Sequence, residues 1–216
     1  MKDITLKSTG RLVYNGLLQP QKALQFLLWV LLPASCFFYG AVWVLHQQGF
    51  GVVDTIRDMA QSANVSSFLG FVSNIGIWLW VSAAAISFFA AFSQTGNPNA
   101  AQRSLLILTG LFSLLLAIDD FFMIHDRYVN QKIIYGLYAV CAGLLLLKHF
   151  TRILQIDGVA FVLACGLLGA SVLTDLLQFV LPMSYTTQQL IEEGFKFSGG
   201  AGWLYFSCKS ALYRPS

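Results

Sequence analysis

Long apolar runs separated by short polar connections dominate the chain. A bilayer core is about 30 Å thick, and a helix rises about 1.5 Å per residue, so about twenty apolar residues can cross it. Six runs are long enough, near 24–46, 66–92, 104–125, 133–150, 158–181 and 187–209. The pattern predicts an all-α protein, a polytopic membrane helix bundle of about six transmembrane helices.

A single membrane domain is expected, because 47–65 is the only long connection between the runs. Residues 1–23 are predicted to form a basic, cytoplasmic or interfacial segment, and residues 24–212 the transmembrane helical domain. With the N-terminus inside, nine Lys and Arg residues fall on the cytoplasmic side and three on the outer side. This bias sets the orientation, and an even number of spans then puts both termini in the cytoplasm.

Composition agrees with a membrane protein. The 216 residues are 56% hydrophobic and only 11% charged, with a mean hydropathy of +0.66, whereas soluble domains carry about 25% charged residues. The net charge of +3 is spread over the connections without a basic stripe, so nucleic-acid binding is not expected. The four cysteines lie singly on separate runs, which argues against disulfides and thiolate metal sites.

Acidic residues inside the apolar runs lie toward one predicted membrane face. Asp119 and Asp120 come near the end of the third run, Asp175 near the end of the fifth, and Glu192 and Glu193 near the start of the sixth. Carboxylates are costly in hydrocarbon unless they are paired, protonated, hydrated or bound to a cation. Their common depth predicts a shared site beneath the outer surface.

Part of this group has the chemistry of a metal site. Carboxylate oxygens with a nearby imidazole are common ligands of divalent ions. We therefore predict Asp119, Asp120, His125 and Asp175 as metal ligands. The oxygen-rich set favours Mg, Mn, Ca or non-haem Fe over structural zinc, and the identity of the divalent metal ion stays open.

The start of the sixth run supplies candidate catalytic residues. Lys196 follows Glu192 by four positions and Glu193 by three, so it can pair with either along a helix. One lysine leaves an excess of four negative charges over the five acids, so a glutamate that holds a proton is expected. Glu192, Glu193 and Lys196 are therefore predicted as catalytic, with a neutralising ion pair as the structural alternative.

Two further patterns are interpreted as structural. Every fourth residue in part of the sixth run is small, which predicts close helix packing at Gly194, Ser198 and Gly202. A polar stripe on the fifth run predicts hydrogen bonds between helices, and its members are Ser171, Thr174, Asp175 and Gln178.

Two motifs carry a resemblance that covers most of the chain. They are DDxFxxH, at Asp119, Asp120, Phe122 and His125, and EEGxK, at Glu192, Glu193, Gly194 and Lys196. Together they resemble a family of uncharacterised bacterial polytopic membrane proteins, which implies a bacterial inner membrane and no particular chemistry.

Two weaker resemblances concern proteins of known chemistry. The chain is similar in outline to the alkaline ceramidase and progestin-receptor-like superfamily, membrane hydrolases that hold zinc with several histidines among seven helices. Here there are three histidines and six predicted spans. The spacing of Glu192 and Lys196 also resembles the last helix of microbial rhodopsins, whose lysine binds retinal, although a seventh helix is missing.

Three functions fit these observations. The leading one is a membrane-embedded, metal-dependent enzyme, such as a hydrolase, that acts on a lipid or other hydrophobic small molecule at an outer-leaflet, carboxylate-rich site. The second is a proton- or cation-coupled transporter, in which the same acids titrate during transport. The third is a non-catalytic accessory subunit bound to a membrane-protein partner. All three predict an integral membrane protein.

Overall fold

The computed structural model describes residues 21, 24, 28, 31–56, 63–66, 68–93, 98–178, 180 and 182–214. All regular elements in these ranges are helices. The chain divides into two compact units, Met1–Leu69 and Gly70–Ser216. Apart from position 21, the predicted N-terminal segment 1–23 lies outside the described residues.

Among its described residues, the first unit has the helices α1 (Leu32–Gln47) and α2 (Val52–Ile56). Pro33 occupies the first turn of α1, where its fixed φ suits a helix start and its missing N–H costs no hydrogen bond. Gly49, at φ +93°, turns the chain after α1 in a conformation that side chains rarely adopt. The structure describes part of the predicted first span, 24–46, and most of that part is helical.

In the part of the second unit that the structure describes there are five helices: α3 (Phe71–Phe92), α4 (Ala100–Phe122), α5 (Ile124–Arg127), α6 (Gln131–Leu176) and α7 (Tyr185–Leu212). Local capping fixes three of the starts, including that of α6, where the Asn130 side chain accepts from the Lys132 N–H at 3.0 Å. The Asn99 side chain accepts from the Gln102 N–H at 2.9 Å, and the Ser184 hydroxyl accepts from the Thr187 N–H at 3.2 Å. Three helices, α3, α4 and α6, are long and apolar enough to cross a membrane. The predicted number of six spans stays a prediction.

Helix α6 consists of two arms that run in opposite directions. Its backbone leaves the helical region at His149 and again at Asp157. The Asp157 carboxylate accepts from the Ala160 N–H at 3.0 Å and so caps a new helix start. At the far ends, the Tyr135 hydroxyl lies 2.6 Å from the Asp175 carboxylate. Forty residues of straight helix would separate these groups by about 60 Å, so the arms are antiparallel, and the break falls between the predicted runs 133–150 and 158–181.

The core of the second unit is built around aromatic side chains of α7. Trp203 and Phe206 are fully buried. The Trp203 ring packs edge-on against Phe112 of α4 at 5.3 Å between centroids, and its indole N–H donates to the Ser113 hydroxyl at 2.8 Å. Trp203 also packs against Phe161 of α6, at 5.8 Å. One side chain of α7 therefore holds α4 and α6 together.

Close helix packing on α7 uses different small residues from those predicted. Gly194 has no neighbour within 4 Å of an added Cβ, and Ser198 is exposed. A Cβ at Gly202 would lie 3.3 Å from Ala164, and one at Gly199 would lie 2.8 Å from the Leu168 side chain. The predicted spacing of four was wrong for two of its three members, because the second arm of α6 packs on another face of α7.

We expect Gly199→Ala to destabilise the fold by about 1–3 kcal/mol, the usual cost of overpacking. The new Cβ would also lie 3.1 Å from the Leu168 backbone nitrogen, which cannot move aside as a side-chain tip can. The matched control is Gly194→Ala, where alanine should be neutral or stabilising by up to about 1 kcal/mol. Thermal unfolding of both variants in one detergent gives the comparison, and equal midpoints would contradict the packing of Gly199.

Candidate functional site

A cavity of about 240 Å³ lies among α3, α4, α6 and α7. Its walls are largely apolar, with Phe112, Leu116, Leu168 and Val172 among them. Polar side chains also line it: Trp80, Asp119, Asp120, His125, Tyr135, Tyr138, Ser171, Glu192 and Lys196. We call this space the acidic cavity, because three of its lining residues are carboxylates.

Asp119 is the most heavily hydrogen-bonded carboxylate at the acidic cavity. Its side chain is only 2% exposed. Oδ2 lies 2.6 Å from His125 Nδ1 and accepts a hydrogen bond from the Tyr138 hydroxyl, while Oδ1 accepts from the His125 backbone N–H at 3.0 Å. Asp119 thus orients an imidazole and a phenol from two other segments of the chain.

The contact between Asp119 and His125 depends on one unusual backbone conformation. Met123 adopts φ +51° and ψ +46°, the left-handed region, where it ends α4 and begins α5. A continuous helix would point His125 away from Asp119, because six residues make a little more than one and a half turns. The reversal at Met123 brings the imidazole back over the end of α4, which the helical pattern of the sequence could not indicate.

Asp120 belongs to a second group, centred on Lys196. The lysine Nζ lies 2.7 Å from Glu193 Oε1 and 3.5 Å from Asp120 Oδ1. The Trp80 indole N–H donates to Asp120 Oδ2 at 3.1 Å. This group connects α3, α4 and α7, and it shows that Lys196 neutralises acids from two helices.

The remaining two acids have neutral partners. Asp175 accepts a hydrogen bond of 2.6 Å from the Tyr135 hydroxyl, and Glu192 accepts one of 3.0 Å from the Gln189 amide. In the part of the chain that the structure describes, no basic side chain forms an ion pair with either acid. Negative charge is therefore in excess at this end of the bundle.

The four predicted metal ligands do not form one ligand set. Asp119 and His125 bind each other, Asp120 is held by Trp80 and Lys196, and Asp175 is held by Tyr135. Among the described residues, no group of three or more His, Cys, Asp or Glu side chains is placed to hold a metal ion. The donors as arranged do not fit a divalent ion, and metal binding stays a prediction for metal analysis of the purified protein.

The predicted catalytic residues divide between the cavity wall and its surroundings. Glu192 and Lys196 line the acidic cavity, whereas Glu193 contacts it through Lys196. Their catalytic roles stay predictions. Of the predicted polar stripe, Ser171 lines the cavity, while the Thr174 hydroxyl donates to a carbonyl of its own helix at 2.8 Å.

Sequence reasoning missed the aromatic side of the site. The rings of Tyr135 and Tyr138 are tilted by 38° with their centroids 6.1 Å apart, and the centroids of Tyr135 and His125 are 5.7 Å apart. Both phenols donate to carboxylates. Their spacing of three places them on one helix face near the start of the fourth run, and this signal was available in the sequence.

Stability should fall with rising pH because of His125. Its hydrogen bond to the Asp119 carboxylate raises the pKa of His125 above its ordinary value of about 6.5. The folded state therefore holds the proton more tightly than the unfolded chain. The resulting stabilisation is fully present below about 6.5 and is lost as the pH rises through the raised pKa.

The check is the unfolding midpoint of wild type and His125→Gln between pH 6 and pH 10. Wild type should lose more stability across this range than the variant does. His46→Gln, which changes an exposed histidine of the first unit, is the control and should follow wild type. Parallel curves for wild type and His125→Gln would contradict the ion pair.

The fold and the site define an all-helical protein with an acidic cavity among its apolar helices. The chain belongs to a family described as a domain of unknown function (DUF8692), whose sequence profile matches residues 24–210. No curated protein and no solved structure matches the chain. The match to the family covers most of the chain. That the DDxFxxH and EEGxK motifs are characteristic of the family stays a prediction, and so does the likeness to membrane hydrolases.

Proposed function

We propose that this protein is an integral membrane enzyme that transfers a proton to or from a lipid or other hydrophobic substrate in the acidic cavity. The observation that carries the proposal is the Asp119–His125 pair, with Tyr138, at the wall of a largely apolar cavity. Such a wall binds an apolar molecule, and the paired imidazole is the usual group for acid–base catalysis near neutral pH.

The membrane location is supported by the helices around the cavity. Helices α3, α4 and α6 have the length and composition to cross a bilayer. Many large apolar side chains on their outer surfaces are exposed; examples are Phe89, at 76%, and Leu147, at 82%. Exposure of this kind suits contact with lipid rather than water. We further propose six spans, with the arms of α6 counted separately, both termini cytoplasmic and the acidic cavity toward the outer leaflet.

The proposed chemistry uses the chain's own side chains. Asp119 accepts from His125 Nδ1, and Nε2, which lies 3.5 Å from the exposed Asp126 carboxylate, is the atom that gives or takes the substrate proton. The same carboxylate stabilises the imidazolium that forms when Nε2 gains a proton. Tyr138 shares Asp119 Oδ2 and holds the carboxylate in place. No step in this scheme passes through a metal ion.

The volume of the cavity also limits the size of the substrate portion that it can hold. An apolar cavity of about 150 Å³ can hold a benzene-sized molecule, so the 240 Å³ found here holds somewhat more than one ring or a short alkyl segment. A longer lipid would place only its reacting portion inside. The polar side chains gather around that portion, as expected for a site that separates the reacting head of a substrate from its apolar tail.

The proposal is tested by incubating the protein, in lipid nanodiscs, with membrane lipid extracts and following product formation by mass spectrometry. We expect a wild-type product whose rate of formation falls by about 10²–10⁴-fold in His125→Gln, the usual contribution of general acid–base catalysis. The matched control is His46→Gln, which changes the same residue type in the first unit. Absence of a wild-type product, or an active His125→Gln, would overturn the proposal.

A proton-coupled transporter is the second candidate, because Asp175 and Glu192 have only neutral hydrogen-bond partners among the described residues. Carboxylates without a cation at membrane depth are suited to binding a proton. Proton uptake into liposomes that disappears in Asp175→Asn would favour transport. Co-purification with a larger membrane complex would favour the accessory-subunit alternative.

A further inference from the structure

We propose that the ligand of the acidic cavity carries a cationic head group, such as an ammonium, on an apolar body, and that Glu192 pairs with the cation. This inference rests on the proposed function and names the class of its substrate. The argument combines the charge around the cavity, the partners of Glu192 and the aromatic residues in the wall.

Negative charge exceeds positive charge among the side chains that line the cavity or contact a lining residue. Helix α4 supplies Asp119 and Asp120, α6 supplies Asp175, and α7 supplies Glu192 and Glu193. The cationic partners are His125 of α5 and Lys196 of α7. These two cations cannot neutralise five acids. A phosphate or carboxylate head group would add to the excess at low dielectric, where like charges repel strongly.

Glu192 is the carboxylate in the wall that has room for a further partner. Asp119 and Asp120 line the cavity too, but each accepts hydrogen bonds from two other residues or pairs with a cation. Glu192 accepts from Gln189 at one oxygen, Oε2, and forms no ion pair with a described basic side chain. A charged hydrogen bond from a ligand ammonium would therefore be well placed at Glu192.

The aromatic wall suits the same head group. Trp80, Phe112, Tyr135 and Tyr138 line the cavity, and ring faces attract ammonium groups, most strongly where water is excluded. The apolar part of the wall, including Leu116, Leu168 and Val172, remains for the body of the ligand. An amphiphilic cation thus matches both parts of the cavity, whereas an anion would meet three carboxylates in the wall, and the two cationic groups there, His125 and Lys196, already pair with acids.

The test uses three probes with the same eight-carbon chain: octylammonium, octanol and octanoate. Their binding is measured at neutral pH by calorimetry, with protein in nanodiscs of zwitterionic lipid and empty nanodiscs as blanks. We expect octylammonium to bind wild type at least tenfold more tightly than octanol, and octanoate to show no binding above the blank. Glu192→Gln should weaken octylammonium about tenfold and leave octanol unchanged.

Two variants distinguish binding of the probes in the cavity from their uptake by the membrane. Asp126→Asn removes the same charge from a side chain that is 62% exposed, lies 3.5 Å from His125 Nε2 and does not line the cavity, and it should weaken octylammonium binding far less than Glu192→Gln does. Gly169→Leu fills the cavity, since Gly169 lines it and an added Cβ there meets nothing within 4 Å. It should abolish binding of octylammonium and octanol without loss of folding.

The outcomes distinguish this inference from the function on which it rests. If octanol or octanoate binds as tightly as octylammonium, and Gly169→Leu abolishes that binding, the hydrophobic site stands and the cationic head group is wrong. The same holds if Glu192→Gln leaves octylammonium binding unchanged. If no probe binds wild type better than Gly169→Leu, the cavity is not a ligand site, and both proposals fall.

Discussion

Replacing Asp119 with asparagine is expected to destabilise the protein by about 3–5 kcal/mol, the usual cost of removing one partner from a buried ion pair. Asp119 is nearly inaccessible, and it accepts hydrogen bonds from the His125 ring, the His125 backbone and the Tyr138 hydroxyl. Asparagine keeps one acceptor oxygen but turns an NH₂ group toward donors. The rate of the proposed reaction should fall as well, because His125 loses the group that orients it.

Unfolding midpoints and a double-mutant cycle check this result. Asp119→Asn, Tyr138→Phe and the double variant should show coupling, since the Tyr138 hydroxyl donates to Asp119 Oδ2. Asp126→Asn is the matched control, because it makes the same change in the other carboxylate beside His125, which lies 3.5 Å from Nε2 and is 62% exposed. A loss of stability in Asp119→Asn no larger than in this control would show that Asp119 does not hold the site together.

Lys196→Met is expected to cost about 2–3 kcal/mol, somewhat less than a fully buried pair, since Glu193 is 38% exposed and water screens part of the interaction. Methionine preserves much of the apolar stem but leaves Asp120 and Glu193 without their cation. The neutral double variant Lys196→Met/Asp120→Asn should regain part of the loss, because the less exposed of the two carboxylates no longer carries charge.

The matched control for this change is Lys209→Met on the same helix. Lys209 is exposed, and its Nζ lies 5.4 Å from the Tyr205 ring centroid. Its loss should cost at most about 1 kcal/mol, the scale of an exposed cation–π contact. Chemical or thermal unfolding of the four proteins in one detergent gives the comparison. If the double variant is less stable than Lys196→Met, the lysine does not act by neutralising Asp120.

Much of the fold could be predicted because its signals are local. Apolar runs of helical length correspond to α3, α4, α7 and the arms of α6. The polar interruption at Asp157 marks the reversal inside α6, where its carboxylate caps the second arm. The close-packed glycines of α7 were mostly missed, since the contact face of a helix depends on how its neighbours cross it.

Only part of the site could be predicted from the sequence. Spacing along the runs indicated that acids from different helices share one depth, and Asp119, Asp120 and Glu192 do line one cavity. Which acid meets which cation depends on the rotation and register of neighbouring helices, and these are tertiary properties. The contribution of Tyr138 was missed although its spacing from Tyr135 is visible in the sequence, because a tyrosine on an apolar helix is usually a packing residue.

The backbone conformation of one residue, Met123, determines the position of the His125 imidazole. Since Met123 holds a left-handed conformation, a β-branched residue there would favour a straight continuation and carry His125 off Asp119. Glycine would permit the reversal but would also allow other paths for the chain. The geometry of the imidazole is therefore sensitive to a position whose own side chain has no part in the chemistry, and a search for important residues confined to polar side chains would overlook it.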